Sequence, residues 1–191
     1  MTIFPDRRKF YRIKRKGSIY RRKKREEIDY GKLSGVEIIF LKFKSALLRG
    51  RTFESLIDKN LNEIEEKQII ELRDVISDLV LKENISEIYC PRARRNQVDH
   101  IIVKKAVAGL SVAGYDIFYY EDFPTFLPDS KNLKTDTGYS RIEIDISNVI
   151  EEKIQGILLY ESLIDVYFKS KELLVEKIRE TTFEVFWKDI S

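Results

Sequence analysis

Three apolar runs of strand length, VEIIFLKF (36–43), SEIYC (86–90) and YDIFYY (115–120), alternate with stretches of helical spacing. That alternation constrains the fold more than any other feature of the chain. Between the first two runs, EIEEKQIIELRDVISDLVLKE sets Ile64, Ile69, Leu72, Ile76 and Leu79 or Val80 on one helical face. After the second, a helix opening at Gln97 would bury Val98, Ile101, Ile102, Ala106 and Leu110. Strands joined through helices close as right-handed βαβ units. The order therefore predicts a doubly wound α/β fold, with a mostly parallel sheet and helices on both faces. Segments 36–42, 86–90 and 115–120 are its expected parallel strands.

The flanking segments extend this plan. Ser18 is placed to cap a helix that stops at Gly35. Residues 121–138 hold Pro124, Pro128 and Gly138 and read as a long loop. RIEIDIS alternates with period two, as a half-buried strand near a sheet edge does. NVIEEKIQGILLYESL and KELLVEKIRETTF read as amphipathic closing helices.

Charge is distributed unevenly. Residues 1–25 carry 12 Lys/Arg and one acid, Asp6, leaving 23 basic against 31 acidic residues, a net of −8, in 26–191. Residues 1–25 are thus expected to be a basic leader and 26–191 a single α/β domain. The leader interleaves Phe10, Tyr11 and Tyr20 with cations, which suits either an anion-binding arm or a solvated segment. No nucleic-acid-binding fold follows it, which argues against a nucleic-acid partner. No apolar run approaches the roughly 20 residues of a membrane span. No apolar stretch of the secretory kind follows the basic start. The one cysteine, Cys90, has no intrachain partner, and a cytoplasmic location is the default expectation.

The chemistry-bearing feature is the lone histidine, His100, in NQVDHIIVKKA (96–106). It falls in the first turn of the helix after SEIYC, where doubly wound sheets place ligands. Its plain reading is an ordinary first-turn histidine. Asp99 beside it suits a helix N-terminus, whose positive end favours an acid. Glu121 and Asp122 fall at the carboxyl end of the third run. Core packing explains one of Tyr119 and Tyr120, and strand alternation sends the other to the opposite face. Arg92, Arg94 and Arg95 line the same edge and read as solvated loop charges able to meet an anionic group. Tyr160, Glu184 and Trp187 read as packing residues. The chain has neither GxGxxG nor a P-loop.

Several of these segments, in order, resemble the PIG-L/LmbE-type N-acetylglucosamine deacetylases. RRKKREEIDYGKLSGVEIIFLKF looks like that family's helix–strand unit, and QVDH before an apolar helix is similar to its His-x-Asp-His. FYYEDFP, KIQGILLYESL and TTFEVFW resemble three later patterns, so the likeness runs from about residue 20 to 188. The resemblance implies a Rossmann-like fold and zinc-dependent removal of acetyl groups from amino sugars. By position, it makes His100 a metal ligand, Asp99 its supporting carboxylate and Gln97 the counterpart of an oxyanion-stabilising histidine. From their place at the same sheet edge, Tyr120, Glu121, Asp122 and Arg95 are the expected sugar-binding residues.

The same comparison leaves gaps. The family's His-Pro-Asp-Asp motif, which supplies two zinc ligands and the general base, has no counterpart, and Asp6 is the one early acid. A catalytic zinc takes about three protein ligands and an open position for water. The expectation is a truncated or degenerate deacetylase homologue, weak or inactive, with zinc implied by resemblance alone. Beside it stand a non-catalytic glycan-binding protein or partner subunit of an active paralogue or second copy, and an anion-binding module working through the basic leader.

Overall fold

The structure is a computed structural model that describes residues 16–121, 138–168 and 170–190. Its elements are α1 (Lys16–Ser34), α2 (Glu63–Lys82), β1 (Glu87–Pro91), α3 (Val98–Ala108), β2 (Asp116–Tyr120), β3 (Tyr139–Asp145), α4 (Ile150–Leu158), α5 (Glu161–Tyr167), α6 (Lys171–Arg179) and β4 (Phe183–Asp189). The chain forms two compact units, one of residues 1–40 and 144–184, the other of 41–143 and 185–191.

The second unit holds the expected βαβ core. β1 and β2 pair in parallel from Glu87↔Asp116 to Pro91↔Tyr120, joined through α3. Cys90, Ile117, Tyr119 and Trp187 cluster with Val107 and Leu110 of the α3 end. Burial pushes the Cys90 thiol up to about 12, with the nearby Lys104 acting in the opposite sense. A second cluster joins Ile69 and Leu72 of α2 to Val98, Ile102 and Ala106 of α3 and to Ala46. Of the residues expected on the α2 face, Ile64 is instead exposed, while Glu65 is fully buried.

Three expectations are corrected. First, VEIIFLKF forms no strand; residues 36–45 make no sheet ladder. Leu41 and Phe43 pack on the α2–α3 cluster, whereas Val36 and Ile39 are each half exposed. An apolar run of strand length reports a demand for burial, which side-chain packing meets here without a neighbouring strand. Second, the sheet is mixed rather than mostly parallel. Its order is β1-β2-β4-β3, and β2 pairs antiparallel with β4, Tyr119 opposite Trp187. The backbone bonds Ile190 N–H to Gly138 O and Ile146 N–H to Thr182 O bracket β3 and β4 and set them antiparallel too. The handedness rule speaks only for strands linked by a crossover, which here are β1 and β2. Third, the end of KELLVEKIRETTF leaves the helix at Arg179 and leads into β4. The aromatic and β-branched residues of FEVFW favour the pleated surface. NVIEEKIQGILLYESL likewise divides into α4 and α5 at Leu159–Tyr160.

In the first unit, α1 ends where Gly35 takes φ 73°, as the stop at that glycine predicts, and begins two residues before Ser18. Glu26 of α1 is buried, accepting from Ser162 N–H at 2.9 Å and Ser162 Oγ at 2.5 Å. Tyr160 donates its hydroxyl to Glu27 at 2.9 Å, consistent with a packing role. Among the described residues of this unit, Ile154, Ile164, Leu174 and Ile178 are the buried apolar side chains. No helix among the described residues is long and apolar enough to cross a membrane.

Candidate functional site

The carboxyl ends of β1 and β2 lie in the second unit, and the residues singled out above gather on the segments that follow them. Pro91 ends β1 opposite Tyr120, and the next backbone bond, Arg92 N–H to Tyr120 O at 2.9 Å, sets Arg92 alongside the end of β2. The loop from 92 to 97 turns through two left-handed residues, Ala93 (φ 59°) and Asn96 (φ 54°), a conformation that is costly for alanine. The loop is tied down on its far side. Asp58 N–H donates to Asn96 O at 3.0 Å, and Ile57 forms a bridge with Gln97. α3 then opens at Val98, with Gln97 extended before it.

Gln97, Asp99 and His100 therefore share one helix start. Gln97 is half-buried and its side chain makes no capping hydrogen bond. His100 is half-buried in the first turn. The Asp99 carboxylate is engaged: Ala46 N–H donates to both its oxygens at 3.1 Å, and Arg49 Nη2 to Oδ1 at 2.7 Å. Arg49 is itself buried, and its Nε has no partner among the described residues.

Behind Asp99 lies an ionic network that the sequence reading did not anticipate. Glu65 accepts a forked pair from Arg51, at 2.9 Å from Nε and 2.6 Å from Nη2, and the Asn62 N–H at 3.0 Å. Arg49 approaches the same carboxylate at 3.5 Å. Arg51 also donates to Asp58 at 3.0 Å and to Asn60 O at 2.7 Å. The Arg51 guanidinium holds the Glu65 carboxyl below its ordinary range despite burial, and Glu65 in turn raises Arg51. The legible signal was the pair Asn62 and Glu65, which forms a capping box at the start of α2. Its second use, as an arginine receptor, leaves no mark in the spacing.

At the end of β2, Tyr119 is buried and Tyr120 half-buried, so Tyr119 is the one of the pair that packs in the core. Arg92 corrects the reading of three solvated loop arginines. It is buried, its guanidinium carbon lies 3.5 Å from the Trp187 ring centroid and 5.3 Å from that of Tyr139, and it bonds Glu121 at 3.0 Å. A guanidinium is less strongly hydrated than an ammonium, and stacking on the indole offsets part of the cost of this burial. Arg94 is exposed and meets Glu121 at 3.5 Å, and Arg95 is half-buried. Trp187 is buried, as a packing residue should be. Asp6 and Asp122 lie outside the described residues.

Among the described residues, no group of three or more His, Cys, Asp or Glu side chains could hold a metal ion. Asp99, the acid beside His100, already receives an arginine and the Ala46 N–H, shared between its two oxygens. The described donor set does not fit a catalytic zinc, which takes about three ligands and an open position.

The chain is 29% identical over 170 residues to the 2'-N-acetylparomamine deacetylase of Streptomyces fradiae, a match covering 81% of this chain. It spans 58% of that relative's length. No protein-family model matches it. Among solved structures, its fold is similar to that of the A40926 pseudoaglycone deacetylase, with TM-score 0.70 at 15% identity over 88% of this chain and 70% of that one. It is also similar to a teicoplanin-pathway deacetylase in complex with teicoplanin, with TM-score 0.66 at 16% identity over 89% and 72%. The zinc-inhibited form of teicoplanin deacetylase gives TM-score 0.65 at 14% identity over 87% and 73%. The chain thus has the α/β fold of these deacetylases, and its sequence is similar to one named for 2'-N-acetylparomamine.

Proposed function

We propose that this chain is a carbohydrate N-deacetylase homologue of the PIG-L/LmbE type whose ligand is an N-acetylated amino sugar, and that its own residues do not sustain turnover. The observation that carries the family reading is the 29% identity sustained over 170 residues. The sugar would lie beyond the carboxyl ends of β1 and β2, against His100, Tyr120, Glu121, Asp122 and Arg95, with Gln97 free to donate to a carbonyl or oxyanion. Gln97 cannot carry a proton, so it cannot replace a histidine as acid or base. The setting is the cytoplasm, where the buried Cys90 stays reduced.

A second reading, as a non-catalytic glycan-binding subunit, has its own support. Both carboxylates described near the site are held by arginines, Asp99 by Arg49 and Glu121 by Arg92. Such pairs order a surface but leave no free base.

One experiment addresses both readings. Zinc content after dialysis and release of acetate from N-acetylated amino-sugar conjugates are measured for the purified chain and for His100→Ala. The expected result is substoichiometric zinc and no turnover, with amino-sugar binding that weakens in His100→Ala. About one zinc per chain with turnover, both lost in His100→Ala, would overturn the inactive reading and keep the family. No amino-sugar binding in either protein would sink the ligand assignment.

A further inference from the structure

The basic N-terminal sequence continues into described structure along α1, where it can be judged by its partners. In the first unit, most described cations are neutralised nearby. Arg22 meets Glu26 and Glu161, Lys32 meets Asp29, Lys153 meets Glu184, Lys171 meets Glu161, Lys177 meets Glu180, and Arg179 meets Glu151. Lys23, Lys24 and Arg25 stand apart: all three are exposed, and none pairs with a carboxylate among the described residues. The local acids are committed elsewhere. Glu26 turns inward to Ser162, and Glu27, one turn beyond Lys23, accepts from Tyr160. Lys24 rests its ammonium 4.7 Å from the Phe40 ring centroid and remains exposed.

Exposed apolar groups accompany these charges. Ile28, 39% exposed, sits three and four residues after Arg25 and Lys24, hence on the same helical face. Leu33, Val36 and Ile39 in the same unit are each 50% exposed. Cations flanking exposed aliphatic side chains on a helix suit a lipid interface, where headgroup phosphates meet the cations and aliphatic groups enter the acyl boundary. A nucleic-acid backbone would use the cations and gain nothing from the aliphatic side chains.

We infer that the α1 face built from Lys23, Lys24, Arg25 and Ile28 docks the protein onto a bilayer surface carrying anionic headgroups. The surface attracts the three unpaired cations, each worth about fivefold in binding, and Ile28 adds a shallow apolar contact. The attraction weakens as salt rises, because exposed charges are screened beyond about 10 Å at 0.1 M salt.

The test is co-sedimentation of the full chain with vesicles of phosphatidylcholine alone or with about one third phosphatidylserine. The comparison set is wild type, a triple variant Lys23→Ala, Lys24→Ala, Arg25→Ala, and Ile28→Ser, with circular dichroism to check folding. The expected result is binding to the anionic vesicles only, weakened about a hundredfold in the triple variant and measurably in Ile28→Ser. Equal binding to both vesicles overturns the inference. A triple variant that binds as wild type does assigns the contact to residues 1–15 and overturns it for α1. An unaffected Ile28→Ser, with RNA displacing the vesicles at matched phosphate, makes the ligand a soluble polyanion and overturns the lipid assignment.

Discussion

Arg49 and Asp99 meet at 2.7 Å, a bond that ties the 3-10 turn Ala46–Arg49 to the first turn of α3. The arginine is buried and the aspartate side chain is 43% exposed, so the two partners have unequal stakes. Removing the aspartate leaves Arg49 with Glu65 at 3.5 Å as its nearest carboxylate and frees the Ala46 N–H. Asp99→Ala should therefore cost about 1–3 kcal/mol in urea unfolding, the range for stranding a buried donor. Asp99→Asn, which keeps an acceptor, should cost less. Equal stability of Asp99→Ala and wild type would show that the bond contributes nothing.

Acid should unfold the second unit partly through Glu65. Arg51 holds its carboxyl below the ordinary 4.5, against the opposing effect of burial, and the Asn62 N–H adds to the depression. The folded chain thus takes up this proton less readily than the unfolded one. The stabilisation is complete above about pH 4.5 and is lost as pH falls toward the depressed folded value. Glu65→Gln should cost up to about 3–5 kcal/mol at neutral pH, because Arg51 is left with Asp58 and Arg49 with Asp99 as the remaining counter-charge of each. The variant should also lose less further stability than wild type between about pH 5 and pH 3. Parallel stability curves over that range would refute the assignment.

Gly31 sits inside α1, where replacing glycine by alanine ordinarily stabilises a helix by about 1 kcal/mol. Here a Cβ would lie 2.7 Å from Ile38 Cγ1 and 3.0 Å from the Val36 carbonyl oxygen. The isoleucine can turn, but the carbonyl belongs to backbone. Overpacking of this kind costs about 1–3 kcal/mol and should outweigh the propensity gain. Gly31→Ala is expected to lower the thermal midpoint, and a raised midpoint would mean the 36–38 segment moves aside freely.

Parts of this architecture were legible because one local rule governs them. The β1–α3–β2 unit follows from apolar runs separated by a helical period, and Gly35 ends α1 as a left-handed stop. The segment 36–43 departs from the strand its apolar run suggests because periodicity records which side chains need burial and is silent on whether a neighbouring strand exists to pair with. β4 was hidden because its alternation abuts the helical pattern of α6. At the site, QVDH marked the helix start and the sheet edge. Arg49, Arg51 and Glu65 converge only through the loop of 45–60, and Arg92 becomes buried only because β4 brings Trp187 beneath it. Contacts between residues 14 or 95 apart leave no period to read.

Arg92 offers the sharpest separation of packing from charge. Its guanidinium lies flat enough on Trp187 for a centroid distance of 3.5 Å, while it bonds Glu121, whose side chain is 13% exposed. Lysine keeps the charge but cannot stack a plane or spread donors in a fork. Arg92→Lys should therefore lose the planar stack and part of the donor set to Glu121, about 1–2 kcal/mol, while an ammonium keeps some cation–π attraction. Arg94→Ala, which removes an exposed charge 3.5 Å from the same glutamate, should change stability by about 0.5 kcal/mol or less. Because Trp187 is the chain's single tryptophan, its emission reports the contact directly, and Arg92→Lys should alter the native-state spectrum while Arg94→Ala leaves it as in wild type. If Arg92→Lys matches wild type in both unfolding midpoint and emission, the stack is incidental and Glu121 is held by charge alone. A large loss in Arg92→Lys would instead make the plane of the guanidinium, pressed between Trp187 and the end of β2, the element that keeps Glu121 in place at the edge of the candidate sugar site.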